Sequence, residues 1–135
     1  MLGTLMDISH DGDRVTKNGE AFDTSASDLY LYRQITALGS EDPEKVLSAQ
    51  LWMQPGGYAC STPFIDDLVD ALHEQDGVLG VQLSGAGLGG CIMALVEKKH
   101  SADLLSYLKE TYYDQKGLPM GAQVFHPVKG SGIFE

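Results

Sequence analysis

Four glycines fall within eight residues at positions 84–91, SGAGLGGC, and short runs rich in valine, leucine and isoleucine stand on either side. Glycine takes positive φ without steric cost and lets another backbone or a ligand approach closely. Upstream, GVLGVQLSG alternates Val78, Gly80 and Gln82 against Leu79, Val81 and Leu83, which predicts a strand. Downstream, CIMALVE predicts a second, buried strand. Gly85, Gly87 and Gly90 satisfy G-x-G-x-x-G to the letter. A dinucleotide site, however, needs a helix after the glycines and an acidic residue about twenty positions on. A strand follows here, so that reading is rejected. No Gly-Lys-Ser/Thr follows either, as a P-loop requires. What remains is strand, glycine turn, strand. Two glycines would suffice for the turn, and the surplus forgoes roughly 1–2 kcal/mol relative to alanine. That cost points to a body that comes close: a ligand, or a packed neighbouring loop.

Around this hairpin the chain reads as helices and further strands. Leu2, Leu5, Met6 and Ser9 keep helical spacing from the first residues, with no capping residue ahead of them. A helix entered part-way fits a piece of a longer protein. Residues 10–27 are polar and rich in turn formers, which predicts a mobile surface loop. Within it, Asp11-Gly12-Asp13 reads as a solvated acidic turn, since a calcium loop needs more ligands. Ser27–Leu38 predicts a helix with Leu31, Ile35 and Leu38 on one face and Gly39 as its stop. Asp42 and Pro43 open another, running to about Met53 and burying Val46, Leu47 and Leu51, with Trp52 as a packed anchor. Thr62 caps the clearest helix, TPFIDDLVDALHEQDG, with Phe64, Leu68 and Leu72 in one row and Ile65 and Val69 beside it. Its carboxylates, Asp66, Asp67, Asp70 and Glu74, read as a solvated outer face favoured by the helix dipole. Ser101 caps a helix to about Tyr113, with Leu104, Leu105, Leu108 and Tyr112 as its stripe and Gly117 as its stop. AQVFHPV, residues 122–128, predicts a third strand.

A chain of 135 residues suits one domain, 1–135. The formal net charge is −10, which repels nucleic-acid backbones and anionic membranes. No basic-then-apolar leader opens the chain, and two cysteines give no disulfide framework, so the cytoplasm is the expected compartment. Ser9 and His10 invite a catalytic pair, but adjacent helical residues point apart, and a helix-end contact is expected for His10. Cys60 and Cys91 read as small core residues. His73, His100 and His126 show no metal-ligand spacing, and no metal site is assigned.

GVLGVQLSGAGLGGCIMALV resembles the third signature of the GHMP small-molecule kinases, above all of galactokinases. Gly85, Gly87, Gly89, Gly90 and Cys91 match it one for one. LGTLMDISH resembles a helix that those kinases carry as G-x-L-M-x-x-S-H, through Gly3, Leu5, Met6, Ser9 and His10. Residues 11–57 depart from the pattern. The resemblance implies an α+β fold: the C-terminal lobe, a ferredoxin-like antiparallel sheet packed against helices, here with extra N-terminal helices. It implies one half of an ATP- and Mg2+-dependent sugar kinase. The phosphate loop, the magnesium-binding acid and the catalytic aspartate belong to the other lobe, and nothing in this chain matches them. The loop Ser84, Gly85, Ala86, Gly87, Leu88, Gly89 and Gly90 would then line the nucleotide and sugar cleft, with Ser9 and His10 as cleft contacts and no catalytic residue in this chain. The partners implied are the missing N-terminal lobe, a small sugar, and a second copy through the face that lobe would cover. The alternatives are a free-standing ferredoxin-like ligand- or partner-binding module and a structural dimerisation domain.

Overall fold

The computed structural model describes residues 1–23, 26–85, 90–127 and 130. They group into two compact units, Met1–Glu97 and the chain from Lys98 onward.

The first unit is organised by one strand pair and the helices that cover it. Strands β3, Val78–Ser84, and β4, Cys91–Val96, pair antiparallel, with Ser84 opposite Cys91 and Gly80 opposite Leu95. The register shifts between Val78 and Gly80. Helix α4, Pro63–His73, lies against β3 and buries Val69 and Leu72 beside Val81 and Leu83 of the strand. Thr62 caps α4 by accepting from the Ile65 N–H, and Pro63 occupies its first turn, as the sequence predicts. Each such fully buried aliphatic side chain contributes about 1.5–3 kcal/mol. Phe64, placed by its spacing in the buried row, is instead 72% exposed.

Helix α1, Leu2–Asp13, is unlike an ordinary core helix. Its buried residues are Gly3, His10 and Gly12, while Leu2 is exposed. Gly3 rests on β3 at Leu79 and Gly80: a Cβ added to Gly3 would overlap the Leu79 carbonyl, and one added to Gly80 would overlap the Gly3 backbone. Gly12 backs onto Gly56, its Cβ position only 2.6 Å from the Gly56 nitrogen. The expected loop at 10–27 therefore begins as helix, and its described residues continue as a hairpin of β1, Thr16–Lys17, and β2, Glu20–Ala21. Asn18 and Gly19 turn it with φ of 51° and 77°. The Asp11-Gly12-Asp13 triplet is no solvated turn either: Gly12 is buried, and its carbonyl accepts the N–H groups of Tyr58 and Ala59.

Helix α2, Asp28–Leu38, forms where predicted, capped by Ser27; α3, Pro43–Ser48, starts at its predicted cap, Asp42, but stops short of the expected Met53, and a separate 3₁₀ turn spans Leu51–Met53. Their burial departs from expectation. Tyr30, Gln34 and Ala37 are the half-buried residues of α2, while Leu29, Tyr32 and Ile35 are 59%, 68% and 69% exposed. Leu31, Leu38, Leu47, Leu51 and Trp52 are exposed as well. The capping residues set these helices locally, but among the described residues nothing covers their apolar side.

In the second unit a 3₁₀ turn at Lys98–His100 leads into α5, Ser101–Leu108, whose Leu104 and Leu108 are buried. His100 stands at the N-cap position, and the Ser101 hydroxyl donates to the Lys98 carbonyl instead of capping. The helix widens to a π turn at Lys109–Tyr113, resumes as α6, Asp114–Lys116, and stops at left-handed Gly117. The strand expected at 122–128 does not form over the described residues 122–127, where Phe125 is 82% exposed. The α+β class stands. Among the described residues each sheet has two strands.

Candidate functional site

The glycine hairpin is held at its root by α1 and α4. Along an antiparallel strand, alternate N–H groups face opposite edges. Those of Val81 and Leu83 face α1 and donate to its side chains: Val81 N–H to Asp7 Oδ1 at 2.9 Å and Leu83 N–H to His10 Nδ1 at 3.3 Å. Each acceptor then reaches α4. Asp7 Oδ1 lies 3.0 Å from His73 Nε2, and His10 Nε2 lies 3.3 Å from Asp66 Oδ1. Two rungs of opposite chemistry, strand–carboxylate–imidazole and strand–imidazole–carboxylate, thus tie three elements together. The open edge of β3, a liability when left bare, is satisfied by a helix.

The second rung is buried, with His10 at 1% exposure and Asp66 at 0%. Asp66 Oδ2 accepts from the Val15 N–H at 3.0 Å, the Thr16 N–H at 2.8 Å and the Thr16 hydroxyl at 3.1 Å. The His10–Asp66 approach is off-axis for a hydrogen bond, so the two meet as a polar contact. Burial alone would raise the Asp66 carboxyl. Ser61, the Thr16 and Val15 N–H groups and the Thr16 hydroxyl together outweigh it and hold the carboxyl below its ordinary 3.8. Of these, the buried Ser61 hydroxyl stands near the carboxylate without a full hydrogen bond. Burial, reinforced by Arg14, lowers the His10 imidazole below 6.5 against the pull of Asp66, Asp11 and Asp13. An imidazole that accepts at Nδ1 is neutral, with its proton on Nε2, facing Asp66.

Both shifts are depressions, so both groups bind protons more readily in the unfolded chain, and stability rises with pH. The His10 contribution is complete above pH 6.5 and is lost as pH falls toward its folded value. The Asp66 contribution is complete above 3.8 and is lost below it. Urea midpoints measured at stepped pH are expected to fall in two stages, the first beginning below 6.5. A midpoint flat down to the carboxylate range would contradict the His10 assignment.

Beside the rungs lies a polar cavity of about 330 Å³, walled by α1, α4, the β1–β2 hairpin and Val81. Buried Arg14 spans it, with Nε 2.8 Å from Asp11, one terminal nitrogen 2.7 Å from Asp70 and the other donating to the Thr16 carbonyl. The Asn18 N–H donates to Asp70 and Lys17 reaches Asp11. The groups are paired with one another, which makes this a structural ion network. Among the described residues no three His, Cys, Asp or Glu side chains could hold a metal ion.

Of the loop residues singled out in the sequence, Ser84 is half-buried at the end of β3, and Gly85 follows at φ 98° with open space at its Cβ position. Gly90 lies close to the Ser84 carbonyl. Ala86, Gly87, Leu88 and Gly89 lie outside the described residues. Ser9 is exposed while His10 is interior, so they form no pair, and His10 is no helix-end contact. Asp66, expected on a solvated face, is the most enclosed carboxylate described. Cys91 is exposed rather than core, and burial together with Asp13 pushes the Cys60 thiol up, away from reactivity.

A family profile described as GHMP kinases C terminal matches residues 35–114, more than half of the chain. The chain belongs to the GHMP kinases. The match takes in α3 and the last four residues of α2, so part of the segment 11–57, which departs from the family's motifs, lies inside the family's domain. A galactokinase of Levilactobacillus brevis is 40% identical over 62 residues, 46% of this chain and 16% of that protein. Galactokinases of Bacillus subtilis and Canis lupus familiaris are 33% and 34% identical over 61 and 55 residues, 45% and 41% of this chain and 16% and 14% of theirs. The chain thus covers about a sixth of the length of the curated relatives it matches. No solved structure matches it. No helix among the described residues is long and apolar enough to cross a membrane.

Proposed function

We propose that this GHMP C-terminal domain serves as one lobe of an ATP-dependent, galactokinase-like sugar kinase acting in the cytoplasm. Its part is to close the nucleotide and sugar cleft with the loop 84–90, and it has no catalysis of its own. The observation that carries this reading is the anchored root of the hairpin: β3 is fixed along one edge to α1 at Val81 and Leu83, just before the glycines. Phosphoryl transfer depends on positioning and charge neutralisation more than on covalent chemistry. A rigid strand ending in a bare turn supplies position. Charge neutralisation, Mg2+ and most contacts to ATP would then belong to the N-terminal lobe, as the resemblance to galactokinases implies.

The purified chain is expected to show no sugar-dependent ATP turnover. Mixed with the separately expressed N-terminal part of a matching galactokinase, it should restore measurable galactose phosphorylation. Turnover by the chain alone, or failure to bind that lobe at all, would overturn the proposal.

A partner-binding module without catalysis is the second reading. One observation favours it: the outward apolar strip Leu29, Tyr32 and Ile35 on α2. Contiguous exposed apolar surface of this kind marks interaction sites. Self-association of the isolated chain, with the strip or the lobe-facing surface buried between copies, is the expected consequence.

A further inference from the structure

We propose that His10 is a positioning residue for the strand end that carries Ser84 and Gly85, and that it holds that end only while its imidazole is neutral, so that acid releases it.

The geometry sets the condition. Leu83 is the last residue of β3 tied to α1, one position before Ser84, and its N–H has His10 Nδ1 as acceptor. A neutral imidazole has one acceptor nitrogen, whereas a protonated one has none and carries an N–H at both positions. Protonation would therefore set the Nδ1–H against the Leu83 N–H, donor against donor in a buried place, where an unmade hydrogen bond is costly. The rung through Asp7 behaves differently. A carboxyl oxygen keeps lone pairs to accept the Val81 N–H in either protonation state, so protonation severs the rung nearest the glycines and leaves this one an acceptor.

The surroundings of His10 pull both ways. From its own helix Arg14 opposes the charged form while Asp11 and Asp13 favour it. Asp66 favours it from α4. The remaining ionisable groups on the cavity wall are Asp7, Lys17, Asp70, His73 and Glu74. Burial decides for the neutral ring. What the strand end is for rests on the kinase-lobe reading above, while the latch itself rests on the contacts alone.

The test is amide hydrogen exchange by NMR on the intact chain, corrected for intrinsic rates, with Val81 as internal reference. Between about pH 7.5 and about pH 5, spanning the imidazole range, the protection of Leu83 is expected to fall about three- to tenfold relative to Val81, the scale of one lost hydrogen bond. In His10→Phe, Leu83 should be poorly protected at both pH values while Val81 stays protected. Should that variant fail to fold, ring ¹⁵N shifts of the unaltered chain decide. Proton on Nε2 with Nδ1 as acceptor at neutral pH supports the latch. A proton on Nδ1, or Leu83 protection that does not respond to pH, overturns it. Neither nucleotide nor the second lobe is present in these measurements, so a failed complementation would leave this result standing, and a flat protection profile would leave the kinase reading standing.

Discussion

Replacing Gly80 with alanine is expected to cost a large share of the stability of the first unit. Gly80 and Gly3 bring β3 and α1 into backbone contact, and the atoms that a Cβ on Gly80 would meet are the Cα, carbonyl carbon and carbonyl oxygen of Gly3. A flexible side chain could swing away, but backbone moves only by moving the helix. Shifting α1 outward would stretch both rungs, Asp7 to Val81 and His10 to Leu83. Ordinary overpacking costs about 1–3 kcal/mol. Adding two hydrogen bonds at about 1 kcal/mol each brings the expected loss to about 3–5 kcal/mol. A small domain has about 5–15 kcal/mol in all, so the variant should unfold at much lower urea or accumulate as insoluble chain. Gly39→Ala is the control, since its Cβ would meet only the Thr36 carbonyl at 3.6 Å and φ there is −88°. A Gly80→Ala chain with an unaltered midpoint would show that α1 does not rest on the strand.

The parts of this fold that were legible in the sequence are those that local chemistry sets. Ser27, Asp42 and Thr62 each cap a helix through their own side chains, and Gly39 ends one, so helix limits could be read from a few residues. The β3–β4 hairpin was legible because two valine- and leucine-rich runs flank a cluster of glycines. Long-range facts were not. Spacing places Asp66 on a helix face but does not reveal that residues fifty positions away, Val15 and Thr16, turn their N–H groups toward it. The hairpin at Asn18-Gly19 carried a recognisable turn signal, masked by flanks too polar to suggest strands. The sequence neighbours of His10 carry no trace of its partners, which lie on α4 and β3. The exposed leucines of α2 and α3 fail for the opposite reason. Their spacing marks an apolar face correctly, and periodicity says nothing of what covers it.

Asp66 and Asp67 make the sharpest contrast between pattern and place. Adjacent and chemically identical, they differ in that Asp67 is exposed and Asp66 is not exposed at all. Asp67→Ala is therefore expected to shift stability by no more than about 0.5 kcal/mol, as at ordinary surface sites. Asp66→Ala removes the acceptor of two backbone N–H groups and one hydroxyl and leaves the His10 Nε2–H facing an empty interior. Breaking a buried charged network from one side costs about 3–5 kcal/mol, because the donors left behind stay desolvated. Asp66→Asn separates charge from shape. Its oxygen can still take the Val15 and Thr16 donors, but its NH₂ would meet the His10 Nε2–H as donor against donor. An intermediate loss is expected, together with disappearance of the acid-side transition assigned to the carboxyl. Urea midpoints of the three variants at neutral pH, followed by the same series in acid, test this order. If Asp66→Ala proved as stable as Asp67→Ala, the carboxylate would not be the joint between α4 and the β1–β2 hairpin. With that joint removed, α1 still meets β3 through Gly3, Asp7 and His10, but the root of the glycine hairpin loses its support from α4 through His10.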